Sequence, residues 1–329
     1  MNRKPNILVL YNFNPDWPES DLAWTRRMVR QLTGALTFTG YTARAYPIFD
    51  TLAILDQFNP RDWLIWNWVE ELGGQPWTDA IIAAELEARG FAFTGSPAAV
   101  LSFSVDRMNI KQRLQELGLP TLPAQRFSQP EQAGGWDVFP AIVKGCTQHG
   151  SFGIEPEAVV YNTTQLAARI HYLRTELNSD ALVEQFLDTR EFHVGVLGNG
   201  RAEALLPVEY DYSAFLEESQ RLFAYSYKHD ETSPGYHAVK MHCPAPQDNA
   251  QWRVRLQEVA VGAFQALGIY DYGRIDLRML GDEPQVLDVN PNCDIDFTSA
   301  FMLGAKTQGL AYHQTIQKIV EQATERMPV

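Results

Sequence analysis

The period of apolar and polar positions changes several times along the chain, and the changes mark its elements. Residues 6–11, NILVLY, are a short continuous apolar run of the kind a buried parallel strand shows, and 21–38 carry apolar residues at helical spacing. Further strand signals fall at 42–47 and 64–69, and a second helical stretch at 78–89 stops at Gly90. This alternation predicts an α/β unit with a parallel sheet over residues 1–100. Beyond residue 100 the rhythm changes. A helix is predicted over 104–117, with Arg107 and Lys111 one turn apart on one face. A strand over 139–144 ends in Lys144, a helix follows at 164–178, and strand patterns return at 181–187, 191–197 and 204–208. A long helix over 247–267 leads into two short strands, 274–280 and 285–290, and 301–327 is amphipathic and mostly helical.

The two short strands lie in GRIDLRMLGDEPQVLDVNPNCDID, residues 273–296, where polar groups concentrate. Gly281, Asp282, Glu283 and Pro284 are turn residues between them. A three-residue loop over 281–283 would set Asp276 opposite Asp288 and Arg274 opposite Asn290. Alternation would then point these four from one face and send Ile275, Leu277, Leu287 and Val289 to the other. Facing carboxylates repel. A divalent cation between them removes that repulsion, and Asn290 adds a neutral oxygen, a hard ligand set suited to Mg²⁺ beside phosphates. A solvated polar face over a core gives the same alternation, so the hairpin alone leaves both readings open. On the metal reading, Asp→Asn at either position should relieve the repulsion and leave the fold intact or slightly more stable.

Composition narrows the partners. The chain has 329 residues, enough for two or three packed domains, with 45% hydrophobic and 20% charged residues, as in globular proteins. A net charge of −13 argues against nucleic acid or an anionic membrane, so a phosphate ligand would need a local basic cluster. Cys146, Cys243 and Cys293 fit neither a disulfide framework nor a zinc spacing. The N-terminal apolar run is too short for a signal peptide and no run reaches membrane-spanning length, so a cytoplasmic protein is expected.

Two loops test nucleotide chemistries. The loop after the first strand, NFNPDWPES, has no glycine, so a GxGxxG fingerprint is absent and nicotinamide chemistry loses most of its support. The loop after Lys144, GCTQHGSFG, departs from the P-loop at Ser151, where GxxxxGK needs lysine. What remains is a glycine-rich loop with free amides, Gly150 and Ser151 included, able to fold over phosphates.

Six stretches in collinear order, spanning residues 93–310, resemble the ATP-grasp ligases, and most closely the D-alanine–D-alanine ligase branch. They are FTGSPAAVLSFSVDRMNIKQRLQELGLP, FPAIVKGCTQHGSFGI, ALVEQFLDTREFHVGVLG, YSYKHDE, YDYGRIDLRM with VLDVNPN, and SAFMLGAKTQGL. The resemblance implies an α/β fold, α+β in its central and C-terminal parts. An N-terminal parallel-sheet substrate domain (1–100) would be followed by two antiparallel-sheet subdomains (101–188 and 189–329) clasping ATP. It implies phosphate contacts from Lys144 and from loop 145–153 with Ser151, adenine contacts from Glu184, Phe186 and Leu187, and a ribose contact from Glu191. Lys228 falls in the loop covering the site, and Asp276, Asp288 and Asn290 match the ligands of Mg²⁺, or Mn²⁺ in its place. Arg274 matches the arginine that stabilises negative charge on the transferring phosphate.

The implied reaction is transfer of the γ-phosphoryl group to a carboxylate, making an acylphosphate that an amine then attacks, with ADP and phosphate released. Its partners would be small-molecule carboxylate and amine substrates, and a homodimer stays open. Several positions depart from the branch. The orienting glutamate of its N-terminal loop has only Glu19 or Asp21 as stand-ins, and its HG…GEDG stretch is replaced by WNWVEELGGQPWT. The lysine of its DK pair is Arg107, leaving a phosphate role to Arg107, Lys111 or neither. Asp294 stands where the branch has glycine, with Asp296 beyond it and Ser299 retained at the serine position. If Asp294 and Asp296 face the pocket they favour a cationic or polyhydroxy acceptor; turned outward, they are loop charges or a cap for a helix near Thr298. An ATP-grasp kinase and a non-catalytic nucleotide-binding module are the alternatives, the second expected to lack the metal carboxylates.

Overall fold

A computed structural model describes residues 4–247 and 249–328 as three sheets with helices packed against them. Strands β1 (Asn6–Asn12), β2 (Ala43–Ile48) and β3 (Trp63–Trp68) form a parallel sheet in the order β2-β1-β3. The middle of β1, Ile7 to Leu10, is apolar at every position because the strand is central and covered on both faces. Ile7 and Val9 pack with Leu32 and Leu36 of helix Glu19–Phe38, while Leu8 and Leu10 pack with Ile82 and Leu86 of helix Asp79–Ala88.

The second sheet is antiparallel, in the order β4-β7-β5-β6, from β4 (Ala124–Phe127), β5 (Ala141–Gly145), β6 (Val159–Val160) and β7 (Ala181–Gln185). Its back, with Val143 and Val183, is covered by Leu166, Ile170 and Leu173 of helix Thr163–Glu176. The third sheet contains β8 (Glu191–Leu197), β9 (Glu203–Ala204), β10 (Val208–Asp211), β11 (Lys240–His242), β12 (Tyr272–Leu280) and β13 (Glu283–Pro291). Its path is β11-β10-β8-β12-β13, with β9 beside β8. Phe192, Val194, Ile275, Leu277, Val286 and Val289 turn to one side, where helix Ala250–Ala266 covers them with Leu256, Val259, Ala263 and Phe264. The opposite face of β8, β12 and β13 is therefore free to be polar, and it faces the second sheet across a cleft.

Two expectations shift. The helix expected over 104–117 is Arg107–Glu116, preceded by a separate helix Ala98–Ser104. Asp106 separates them, its carboxylate accepting from the Met108 amide at 2.9 Å as an N-cap. The strand expected over 204–208 is split between β9 and β10. One apolar core also joins distant parts of the chain: Ile316, Ile319 and Val320 of helix Tyr312–Thr324 pack with Ile7, Val9 and Leu36. No helix among the described residues is long and apolar enough to cross a membrane.

Candidate functional site

The β12–β13 hairpin supplies one wall of the cleft. Arg274 pairs with Asn290 and Asp276 with Asp288, the expected partners, but by a different route. The turn leaves Leu280 opposite Glu283, a two-residue loop rather than three. A continuous ladder from that turn would set Asp276 against Leu287 and send Asp288 to the apolar face. Instead the register shifts between Asp276 and Leu277, and Leu287 is the extra residue of a β-bulge. Leu287 therefore lines the cleft with Asp288 instead of turning to the core as expected.

Across β12, Asp276 pairs with His193 and Arg278 with Glu191 of β8, so three strands present one polar face. Its groups form a hydrogen-bonded row. Arg278 Nε donates to Glu191 Oε2 at 3.0 Å, and His193 Nε2 lies 3.0 Å from Glu191 Oε1. Arg274 grips Asp276 through Nε at 2.7 Å and Nη2 at 3.0 Å, and Asn290 Nδ2 donates to Asp276 at 2.9 Å. Asp288 accepts from Arg107 Nε at 3.1 Å and Nη2 at 3.0 Å. Each facing carboxylate is thus answered by its own arginine. Burial alone would raise the Glu191 and Asp288 carboxyls; Arg278 with His193, and Arg107 with Lys144, outweigh it and bring each down to about 2.

Asp276, Asp288 and Asn290 also suit a hard divalent cation. Asn290 holds its amide nitrogen toward Asp276, which leaves its carbonyl oxygen without a protein donor, and it stands beside the Asp276 and Asp288 carboxylates on the cleft wall.

The second sheet supplies the opposite wall. Lys144 near the end of β5 meets Glu184 of β7 at 2.7 Å, and Lys111 meets the other oxygen of Glu184 at 2.5 Å. Burial would raise the fully buried Glu184 carboxyl, but Lys111 and Lys144 hold it below its ordinary value. That carboxylate is held by both ammoniums, and residue 184 sits inside the sheet between Ala124 of β4 and Ile142 of β5, so its backbone is committed to the ladder as well. Lys111 is a correction: it is buried, bonds Thr121 and the Val286 carbonyl at 3.0 Å each, and does not line the cleft. Its ammonium ties the helix carrying it to β13. Arg107 does line the cleft, yet its guanidinium is held by Asp288 and by the carbonyls of Gly145 and Gln148.

Between the walls lies a cavity of about 110 Å³ that opens to solvent. Lys144, Gly150, Ser151, Phe186, Leu187 and Glu191 line it together with Arg274, Asp276, Asp288 and Asn290. Gly150 and Ser151 both adopt φ of +65°, a conformation that is strained for serine and curls the loop backbone over the cavity mouth. Lys228, on the short helix Tyr225–His229, borders this cavity and the next; crowding by protein and then Arg274 lower its ammonium.

The next cavity, about 260 Å³, shares Gly150, Lys228, Arg274 and Asn290 with the first and adds Asn67, Glu70, Asp79, Ser104 and Asp294. A third, about 290 Å³, shares Trp68, Glu70 and Asp294 with it and adds Asp296, Trp17 and Trp24. Asp294 thus faces both outer cavities. Although Asp294 itself reaches solvent, the protein crowded around it and then Asp296 push its carboxyl up to about 7. Asp296 lines the third cavity and also accepts from the Thr298 amide at 2.5 Å, a bond within the turn that precedes the next helix. Ser299 is the N-cap of helix Ala300–Thr307, accepting from Met302 at 3.3 Å, and lines none of the three cavities. Glu19 is exposed on the first helix, paired with Arg26 at 2.9 Å, and is likewise not brought to the cleft.

Sequence reasoning missed His193, Arg278 and Glu70. The first two were within reach: His193 follows Glu191 by two on a strand, and Arg278 follows Asp276 by two, so alternation places each on the polar face. Glu70 lies just past β3, at the carboxyl end of a parallel strand, where ligands gather in such sheets.

Residues 114–321 match the family model described as D-ala D-ala ligase C-terminus. Uncharacterized protein y4sG of Sinorhizobium fredii is 28% identical over 329 residues, covering 97% of this chain and 94% of that protein. A D-alanine–D-alanine ligase of Methylacidiphilum infernorum is 30% identical over 245 residues, 74% of each chain. The solved D-alanine–D-alanine ligase of Bacillus anthracis complexed with ATP superposes with a TM-score of 0.72 over 98% of both chains at 15% identity. That of Coxiella burnetii gives 0.73 over 98% of this chain and 95% of its own, at 16% identity.

Proposed function

Because the chain belongs to the D-alanine–D-alanine ligase family and has its ATP-grasp fold, we propose that it is an ATP-dependent ligase joining a small-molecule carboxylate to an amine. The observation that carries the reading is one cavity with two differently charged walls: Lys144 and the glycine loop on one side, Arg274, Asp276, Asp288 and Asn290 on the other. Bound ATP would supply the phosphoryl group that turns a carboxylate, whose oxide leaves poorly, into an acylphosphate.

The residues divide that work. Phe186 and Leu187 offer an apolar edge to a base, and the Glu191 carboxylate can accept from ribose hydroxyls. Lys144 meets phosphate charge as a point cation while staying paired to Glu184. Asp276, Asp288 and Asn290 would hold Mg²⁺, whose charge would offset that of the phosphate oxygens. Arg274 and Lys228 stand where the nucleotide cavity opens into the second cavity, so their charge meets the negative charge that develops at the reacting centre. Loop 145–153 excludes water from an intermediate that water would destroy.

The test is ADP and phosphate release across single amino acids and amino-acid pairs, with mass spectrometry of the product. A condensed product formed with stoichiometric ADP is expected. A phosphorylated product with no amine incorporated would make the protein a kinase, and no release with any pair would remove the ligase reading. D-Alanine is not the expected substrate, because carboxylates at 70, 79 and 294 line the cavity where the small neutral amino acid would sit.

A further inference from the structure

The third cavity has a chemistry that the ligase reading does not use. Its walls carry Trp17, Trp24 and Trp68, with the carboxylates of Glu70, Glu71, Asp294 and Asp296, and no lysine, arginine or histidine among the described residues. None of the four carboxylates forms an ion pair with a basic side chain of the described chain; Lys228, in the second cavity, acts on Glu70 and Asp294 only at longer range. Arg27, although 5.9 Å from the Trp24 ring centroid, does not line the cavity. Four carboxylates converging on a shared space repel one another, a cost that a proton on one of them or a cation among them relieves. Indole faces attract the same kind of guest, through the negative face of the ring.

The second cavity, which joins this one to the reaction centre, carries an independent sign of a ligand. Asn67 is 5% exposed and Ser104 3% exposed, both line that cavity, and neither Asn67 Oδ1 nor Ser104 Oγ has a hydrogen-bond partner. Buried polar atoms are rarely left so, since each unmet group costs about 1–3 kcal/mol. An elongated polar molecule passing between them would meet that need and reach both ends.

We propose that the third cavity binds the cationic end of an extended substrate, a primary ammonium or guanidinium on a chain of several methylenes, whose reacting end lies beside Arg274 and Lys228. Diamino acids, arginine-like amino acids and polyamines have this form. The proposal takes the identity of the reacting end from the ligase reading; the cation preference stands on the cavity alone. The departures of this chain from the D-alanine branch then have one cause. Trp68 and Glu70 lie in the replaced stretch WNWVEELGGQPWT, and Asp294 fills a glycine position, all at one subsite.

The test is calorimetric binding to the full chain without ATP, using lysine, ornithine, arginine and spermidine against the neutral isosteres norleucine and norvaline, in both configurations where they exist. At least one cationic probe should bind about tenfold or more tightly than its isostere. Glu71→Gln and Trp24→Ala should each lower that ratio at least about threefold; Trp24 is 44% exposed, so its replacement leaves the core untouched. Equal binding of isosteres, a ratio unmoved by both variants, or no binding by any probe overturns the proposal. Cation preference without ADP release would keep the subsite and remove the ligase, whereas ADP release with neutral substrates alone would do the reverse.

Discussion

Trp77 meets Phe152 edge-on, their ring centroids 5.8 Å apart, and Phe152 meets Tyr225 in the same way at 5.7 Å. Trp77 comes from the first 100 residues, Phe152 from the glycine loop and Tyr225 from the helix that carries Lys228. The contact therefore links the substrate side to the segment expected to cover phosphates. An aromatic pair of this geometry adds about 0.5–1.5 kcal/mol. Phe152→Ala should raise the KM for ATP about 2- to 10-fold and increase ADP release uncoupled from product, because a looser loop admits water. Unchanged coupling, measured as ADP formed per product, would make the contact incidental.

Asp288→Asn should abolish ADP release and also weaken the fold, the reverse of the stabilisation that simple relief of repulsion would give. The reason is Arg107, 4% exposed, which loses its charged partner. Removing one member of a buried pair costs about 3 kcal/mol or more. A urea midpoint equal to or above that of the parent would show that the two aspartates, rather than aspartate and arginine, dominate the local energy.

Lys144→Ala should weaken ATP and ADP by at least about tenfold while leaving adenosine nearly unaffected, since an ammonium acts on phosphate charge. Glu184→Ala behaves differently from an adenine-binding residue. It strands two buried ammoniums, so loss of soluble folded protein is expected before any selective loss of adenine binding. A stable Glu184→Ala protein with weakened adenosine binding would return the carboxylate to the base.

Acid and neutral pH should act through different residues. Glu191 and Asp288, each lowered to about 2, stabilise the fold fully above their ordinary values of 4.5 and 3.8, and that stabilisation is lost as pH falls toward 2. Asp294, raised to about 7, has the opposite sign: its folded form holds a proton that the unfolded chain releases from 3.8 upward, so stability declines as pH rises from 3.8 to about 7. Asp294→Asn should therefore raise the denaturation midpoint at pH 8 and change it little near pH 4. Equal shifts at both pH values would place the effect elsewhere than in titration.

The hairpin shows what sequence can and cannot carry. Arg274, Asp276, Asp288 and Asn290 were legible because strand alternation is local and turn residues bound it. The bulge at Leu287 was not, since it depends on where β12 must meet β8. Basic residues misled for a related reason. Lys111 and Arg107 share a helix face, but only the tertiary position of Glu184 and Asp288 decides which reaches the cleft. The parallel first sheet was readable from its doubly apolar strand. Trp17, Trp24 and Glu70 converge only when the loop and helix after β1 are folded beside the loop after β3, which no local spacing expresses.

The helix Tyr312–Thr324 has a consequence for synthesis. Its Ile316, Ile319 and Val320 cover Ile7, Val9 and Leu36, residues that leave the ribosome roughly three hundred positions earlier. The first sheet therefore emerges with one apolar face covered only in part, by the helix Glu19–Phe38, and waits through most of translation for the rest of its cover. A nascent chain halted near residue 300 should hold that face open to chaperones, although every strand of all three sheets has by then been made.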